Sequence, residues 1–299
     1  MAGFCLIYSI FSYANPSSYC DGTRKHPCVV YDNVHNTQEV KNWRDSFMIL
    51  DVFHGKGSIA GVETLWISGS SIPTTQQWSW IAAHIQDLTQ YRVKKMVVVD
   101  LREESHGYLN GEPITLLSKN DWGNTGKTHK QSIRAEKQWL KNLSTQATVE
   151  NVLTDAQFDA GDFHAGKFVS VQSVETEQAE VKKAGFEYYR LTITDHKAPN
   201  LEEVKKFIRF VSALPPDTWI HIHCRGGKGR TATFMVLLDM LRNAKEVSFE
   251  DIIARQASVP PYYDLSVIST KNPKFVRYYQ KRLSVLHWFY ERFNRRRDD

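Results

Sequence analysis

The chain has 299 residues, 41% of them hydrophobic and 24% charged, with a net charge of +5 at pH 7. That composition fits a soluble globular protein with enough length for a buried core in one large or two modest domains. It excludes a chain too polar to fold, and with no basic block interleaved with aromatics it speaks against nucleic-acid binding.

Phe4 to Ala14 is nearly all apolar, and Ser12-Tyr13-Ala14 resembles a small-x-small cleavage site, although no basic residue precedes Arg24. Residues 1–14 therefore read as a secretion signal, the other reading being a buried N-terminal segment. The run is too short to span a bilayer, so no stable membrane insertion is expected. The expected location is secreted or periplasmic, or inside a host cell after delivery. Cys5 would leave with the signal. Cys20 and Cys28 can close a small loop by disulfide, which leaves Cys224 as the free thiol, and no cysteine or histidine spacing suggests a metal.

Residues 15–41 form a polar lead-in, and 42–71 read as short extended pieces ending in Leu65-Trp66-Ile67-Ser68-Gly69-Ser70. Pro73-Thr74-Thr75 opens a helix to about Gln90, with Trp78, Ile81, Ala82, Ile85 and Leu88 on one face. Met96 to Leu101 has the continuous apolar character of a buried parallel strand, with Asp100 and Arg102 at its tip. Residues 103–168, with a helix over Ile133 to Leu143, read as an inserted, sheet-rich subdomain. The main pattern then resumes with a helix over Val174 to Ala184, a strand over Phe186 to Ile193, a helix over Glu202 to Leu214 and a strand over Trp219 to His223. Ser248-Phe249-Glu250-Asp251 opens a short helix, and Asn272-Pro273 a long final one. The alternation argues for an α/β domain over 42–102 and 169–294. Arg295-Arg296-Arg297, beside Asp298-Asp299, reads as a solvated tail.

The run His223-Cys224-Arg225-Gly226-Gly227-Lys228-Gly229-Arg230-Thr231 carries the chemistry. It lies between a strand-like and a helix-like segment. Glycines at 226, 227 and 229 let the backbone curl with its N–H groups inward, and the following helix points its positive end at the same spot. Such a cradle stabilises a Cys224 thiolate and binds a phosphate that Arg230 grips at two points. Thr231 can offer its hydroxyl to the sulfur as it leaves, while His223 holds the loop or tunes the thiolate. The ending Gly-Lys-Gly-Arg-Thr is not that of a nucleotide-binding loop.

An alkyl phosphate also needs a proton donor at the leaving oxygen. Asp195, in Thr194-Asp195-His196-Lys197, follows a strand and precedes a helix. From position alone it is either that general acid, later the base that activates water, or a cap for the helix. His196 can orient it or touch a phosphate. His221, alternating with His223, reads as an ordinary core or surface histidine.

Four segments occur in order: Asp100-Leu101-Arg102-Glu103-Glu104-Ser105-His106-Gly107, Asp121-Trp122-Gly123-Asn124-Thr125-Gly126-Lys127, Thr194-Asp195-His196, and the cysteine run. Together they resemble the bacterial cysteine phytases, which are protein-tyrosine-phosphatase-like inositol polyphosphate phosphatases. The likeness runs from about Asn42 to Tyr290. It implies a tyrosine-phosphatase-like α/β core with a small partial β-barrel inserted, no cofactor or metal, and stepwise dephosphorylation of myo-inositol hexakisphosphate with Asp195 as general acid. Arg44 would lie near bound phosphates, and Asp100 near an inositol hydroxyl or among basic neighbours that it orders. Lys127, His129 and Lys130 would reach distal phosphates, with Lys271, Lys274 and Arg277 as a second basic set, and Gln256 would position water. Arg225 and Lys228 depart from the usual loop of the family by adding two cations to the rim, as in phosphatases of membrane phosphoinositides. They favour a polyanionic small molecule as substrate. The alternatives are a phosphoinositide or protein tyrosine phosphatase, or a non-catalytic inositol-phosphate-binding protein.

Overall fold

The computed structural model describes residues 19–32 and 39–295. The candidate signal at 1–14, Cys5, and Arg296 and Arg297 of the basic tail lie outside the described residues. The chain begins with β1 (Cys28–Tyr31), β2 (Arg44–Asp45), α1 (Ser46–Phe53), β3 (Ile67–Ser70) and α2 (Thr75–Leu88). It continues through β4 (Lys95–Arg102), β5 (His106–Leu109), β6 (Glu112–Leu117), α3 (His129–Ser144), β7 (Thr148–Thr154) and α4 (Asp155–Ala160). Then come β8 (Lys167–Ser170), β9 (Val174–Glu175), α5 (Glu177–Lys183), β10 (Glu187–Ile193), α6 (Leu201–Ser212) and β11 (Thr218–His223). Three helices close it: α7 (Gly229–Asn243), α8 (Phe249–Ala257) and α9 (Pro273–Asn294). No helix among the described residues is long and apolar enough to cross a membrane.

Two sheets organise the molecule. The first has the order β10-β4-β11-β3-β2, parallel except for the short edge strand β2. Its centre, β11, is buried along its whole length, as expected of a parallel strand covered on both faces. Ile220, Ile222 and Cys224 face α7, whose residues 230–240 are all buried between the sheet and α8 and α9. A helix enclosed in this way is largely apolar, and its buried polar residues are Arg230, Thr231, Thr233 and Asp239. Trp219, His221 and His223 point to the opposite face, where Trp78 of α2 packs. His221 is a core histidine: the hydroxyls of Ser68 and Ser70 meet its two ring nitrogens at 2.9 and 3.2 Å. Burial holds it well below the ordinary histidine pKa, so it stays neutral.

The second sheet has the order β8-β7-β1-β6-β5-β9. It therefore draws strands from both sides of the expected insertion. β1, in the lead-in, pairs antiparallel with β6 and parallel with β7, and β9 pairs with β5. A Cys20–Cys28 disulfide ties the lead-in to the start of β1. Two other segments differ from expectation. Asp45 caps α1 by accepting from the N–H groups of Phe47 and Met48, and Ile49 and Phe53, four apart, bury one face of it. The run from 174 starts as β9, and Thr176 then caps the shorter α5.

Candidate active site

The nucleophile lies where three parallel strands end. β11 delivers Cys224, β4 delivers Arg102 and Glu104, and β10 delivers Asp195; the carboxyl edge of such a sheet is the usual place for a site. Cys224 is only 4% exposed because it forms the floor of a cavity of about 320 Å³. Arg230, Asp195, His196 and Arg225 line the walls, so the cradle and its proposed proton donor face one space. Thr231 donates its hydroxyl to Cys224 Sγ at 3.2 Å.

The curl of the loop is fixed from outside. The carbonyl of Arg225 accepts from the Ile72 N–H, that of Gly226 from Asn42 Nδ2, and that of Gly227 from Arg44 Nη1 at 2.7 Å. In a trans peptide the N–H points opposite to the carbonyl. Three anchored carbonyls thus turn the amides of Gly226, Gly227 and Lys228 towards the cavity. Gly227 adopts a φ of +66°, and a Cβ there would collide with the backbone of Ser70 and Ser71. Only glycine fits. Helix α7, which starts at Gly229, adds its positive end.

Two arginines of the loop belong to one buried chain of alternating charge. Arg225 Nε meets Asp32 at 2.8 Å, Asp32 meets Arg102 at 2.9 Å, and Arg102 meets Glu104 at 2.9 Å. Glu104 closes on Arg230 through both carboxylate oxygens, at 2.7 and 2.9 Å. Burial opposes ionisation of Glu104, yet Arg230 and Arg102 outweigh it and hold the carboxyl well below its usual range. Asp32 behaves alike between Arg102 and Arg225. The Arg230 guanidinium is thereby oriented before any anion arrives. Its Nε contacts Asp195 at 3.1 Å, a contact that a bound phosphate would replace. Asp195 also meets His196 at 3.1 Å, and its carbonyl accepts from the Trp122 indole. His196 stacks on Phe275 at 3.9 Å, and burial lowers its pKa.

Several expected substrate contacts lie elsewhere. Arg225 is no free rim cation: Asp32, Asp121 and Asp155 surround it, because the second sheet and α4 reach the loop here. Arg44 is 1% exposed and supports the loop from behind, and burial pulls its pKa down to about 10. Asp100 is fully buried against Arg190, His106 and Tyr188, which leaves only its role of ordering basic neighbours. Lys127, His129 and Lys130 line separate clefts at the start of α3. Lys274 and Arg277 lie over the rings of Trp122 and Tyr278, and Lys271 is exposed; none of the three lines the cavity. Gln256 donates to Asp239 at 2.9 Å and is likewise absent from its walls. Lys228 does line it.

Residues not singled out from the sequence also line the cavity. They are Lys41, Ser71, Tyr263, Tyr279 and Arg282, and the Arg282 guanidinium sits beside Gly229. Phe275, Tyr279, Arg282 and Leu286 follow a 4-3-4 spacing down α9, the face turned inward, so helical periodicity could have found them. Asp121 is also a wall residue, 7% exposed, and burial raises its pKa to about 7. It lines both this cavity and an adjoining one of about 840 Å³, which shares Asp195, His196 and Arg225.

A cysteine–arginine cradle at the carboxyl edge of a parallel sheet, with an aspartate across its mouth, defines a site of the protein-tyrosine-phosphatase type. Comparison with known proteins narrows this. Residues 99–242 match the family model of protein-tyrosine-phosphatase-like phytases, described by inositol hexakisphosphate. A phytase structure of this type from Bdellovibrio bacteriovorus is 32% identical with a TM-score of 0.70, and the likeness covers 90% of this chain and 89% of that one. The myo-inositol phosphatase of Mitsuokella multacida, in complex with myo-inositol-(1,3,4,5)-tetrakisphosphate, is 31% identical with a TM-score of 0.75, covering 89% of this chain and 44% of that one. Effector protein hopD2 of Pseudomonas syringae pv. tomato is 32% identical over 199 residues, 66% of this chain and 42% of the effector. The chain belongs to the protein-tyrosine-phosphatase-like phytase family, and it spans less than half the length of the effector and of the Mitsuokella protein.

Proposed function

We propose that the protein is a cysteine-dependent phosphomonoesterase that removes phosphates stepwise from an inositol polyphosphate, with myo-inositol hexakisphosphate as the leading substrate. The observation that carries this reading is Cys224 on the floor of one cavity with Arg230 and Asp195 in its walls. Family membership and the inositol tetrakisphosphate bound by the Mitsuokella relative support the substrate class.

In this mechanism the loop amides and Arg230 bind one phosphate in place of the Asp195 carboxylate. Cys224 Sγ attacks phosphorus, the P–O ester bond breaks, and protonated Asp195 gives its proton to the leaving oxygen. Asp195 then takes a proton from water as that water attacks the phosphocysteine. The S–P bond breaks, inorganic phosphate leaves, and the Thr231 hydroxyl supports the departing sulfur. Lys228, Lys41 and Arg282 remain to meet further phosphates. The Cys20–Cys28 disulfide favours an oxidising destination, and the likeness to an effector favours delivery into a host cell as the alternative.

Phosphate release from inositol hexakisphosphate, a phosphotyrosine peptide and phosphatidylinositol phosphates, measured side by side, tests the reading. The expected result is a strong preference for the first, unaffected by chelator and lost in Cys224→Ser. Equal or faster turnover of the peptide overturns it.

A further inference from the structure

On the face of β11 turned away from α7 lies a second set of buried charges, which the chemistry above does not use. His223 Nε2 is 2.6 Å from Glu177 Oε1, and Glu177 Oε2 is 2.7 Å from His106 Nε2. His106 Nε2 is in turn 3.2 Å from Asp100, which pairs with Arg190 at 3.0 Å, and Arg190 holds Glu136 at 2.8 Å. None of these side chains is more than 7% exposed. The set spans the molecule. His223, Asp100 and Arg190 come from the first sheet, His106 from the second, Glu136 from α3 and Glu177 from the start of α5.

Buried carboxylates need hydrogen-bonded or cationic partners. Glu177 finds them in two imidazoles, His106 and His223. For His106 the geometry fits a cation: Nδ1 meets the Glu104 carbonyl at 2.8 Å, while Nε2 faces two carboxylates. Burial and the neighbouring Arg102 and Arg190 oppose that charge, but Asp100 and Glu136 prevail and raise its pKa to about 9. Burial likewise opposes ionisation of Glu177, yet its pKa is lowered, with His223 the leading favourable partner. The same donors do not suit a metal. Tetrahedral coordination with bonds of about 2.0 Å separates ligand atoms by roughly 3.3 Å, further than the 2.6 and 2.7 Å found here, and Arg190 would repel a cation.

We propose that Glu177 is a positioning residue for the nucleophile: shared between His223 and His106, its carboxylate fixes the His223 imidazole one residue before Cys224 and so sets how readily the thiolate forms. The other titratable groups around it are Tyr108 on β5, Tyr188 on β10, Glu180 on α5 and His221 on β11. Burial keeps both tyrosines protonated and His221 neutral, and Lys183 pairs with Glu180, so none of these substitutes for Glu177. The inference rests on the proposed function only in taking Cys224 as the nucleophile, and a thiolate can be followed without substrate.

The experiment is the rate of Cys224 alkylation by iodoacetamide across pH in the full chain. Glu177→Gln is expected to move the inflection up by about one unit, an approximately tenfold slower reaction at pH values below both inflections. His106→Gln should leave the inflection in place or lower it, because Glu177 then serves His223 alone. In a His223→Asn background, Glu177→Gln should have no further effect, and Glu180→Gln should match the parent. An unchanged profile in a folded Glu177→Gln variant overturns the proposal, as does an equal upward shift in His106→Gln, which would mark general loss of structure. If Glu177→Gln fails to fold, the test passes to His223→Asn and His106→Gln, and displacement of both upward again overturns it. Absence of phosphate release together with the predicted alkylation profiles would remove the proposed activity and leave the role of Glu177 standing.

Discussion

The nucleophile loop and the segments of the second sheet that face it reach the same cavity by different physical routes. The loop is local: nine consecutive residues, from the last of β11 to the third of α7, supply sulfur, guanidinium and backbone donors. The opposing wall is assembled from distance. Asp32 comes from just after β1, Asp121 from the turn after β6 and Asp155 from the start of α4, and all three converge on Arg225. Local design supplies the reacting atoms, and the remote wall supplies their charge balance and orientation. Arg225 stands at the junction, and its rim charge is spent on holding the two sheets together.

Substitutions on the two sides should separate these contributions. The largest effect is expected from Arg230→Lys, which keeps the charge and loses the two-point grip. Turnover of inositol hexakisphosphate should fall by roughly 10²–10³-fold with little change in melting temperature. Asp195→Asn should reduce turnover of alkyl phosphates by about 10²-fold and that of an aryl phosphate far less, because an aryl leaving group needs little protonation. Equal losses on both substrates would remove Asp195 as the proton donor.

On the remote wall the expected readout is stability. Asp32→Asn leaves Arg102 and Arg225 short of a buried partner and should cost about 3 kcal/mol or more in denaturant unfolding. A neutral result would mean that the alternating chain does not hold the sheets. The smallest effect concerns Asp121. Its folded pKa of about 7 lies above the unfolded value of 3.8, so its contribution is fully present below 3.8 and is lost as pH rises through 7. Asp121→Asn should therefore gain melting temperature relative to the parent at pH 8 more than at pH 5.

What was legible in the sequence follows the same division. The cradle, the Asp195 segment and the run of parallel strands could be read because each depends on neighbours within a few residues. The antiparallel place of β1 in the second sheet could not, since a four-residue strand in a polar lead-in gives no periodic signal. The basic residues that line the cavity were hidden for a related reason. Lys274 and Arg277 lie on the outer side of α9 and Lys271 just before it, whereas burial periodicity puts Tyr279 and Arg282 on the cavity side. Arg225 and Arg44 were read as ligand contacts because their carboxylate and carbonyl partners lie far away in the chain.

The most direct test is to mix the Asp195→Asn variant with an aryl phosphate, whose leaving group needs no proton, quench in denaturant within the first turnover and map the phosphorylated peptide. The account predicts one phosphoryl group on the peptide that carries Cys224, absent in Cys224→Ser. Phosphate release with Cys224 unmodified, or a phosphoryl group on another residue, would contradict it.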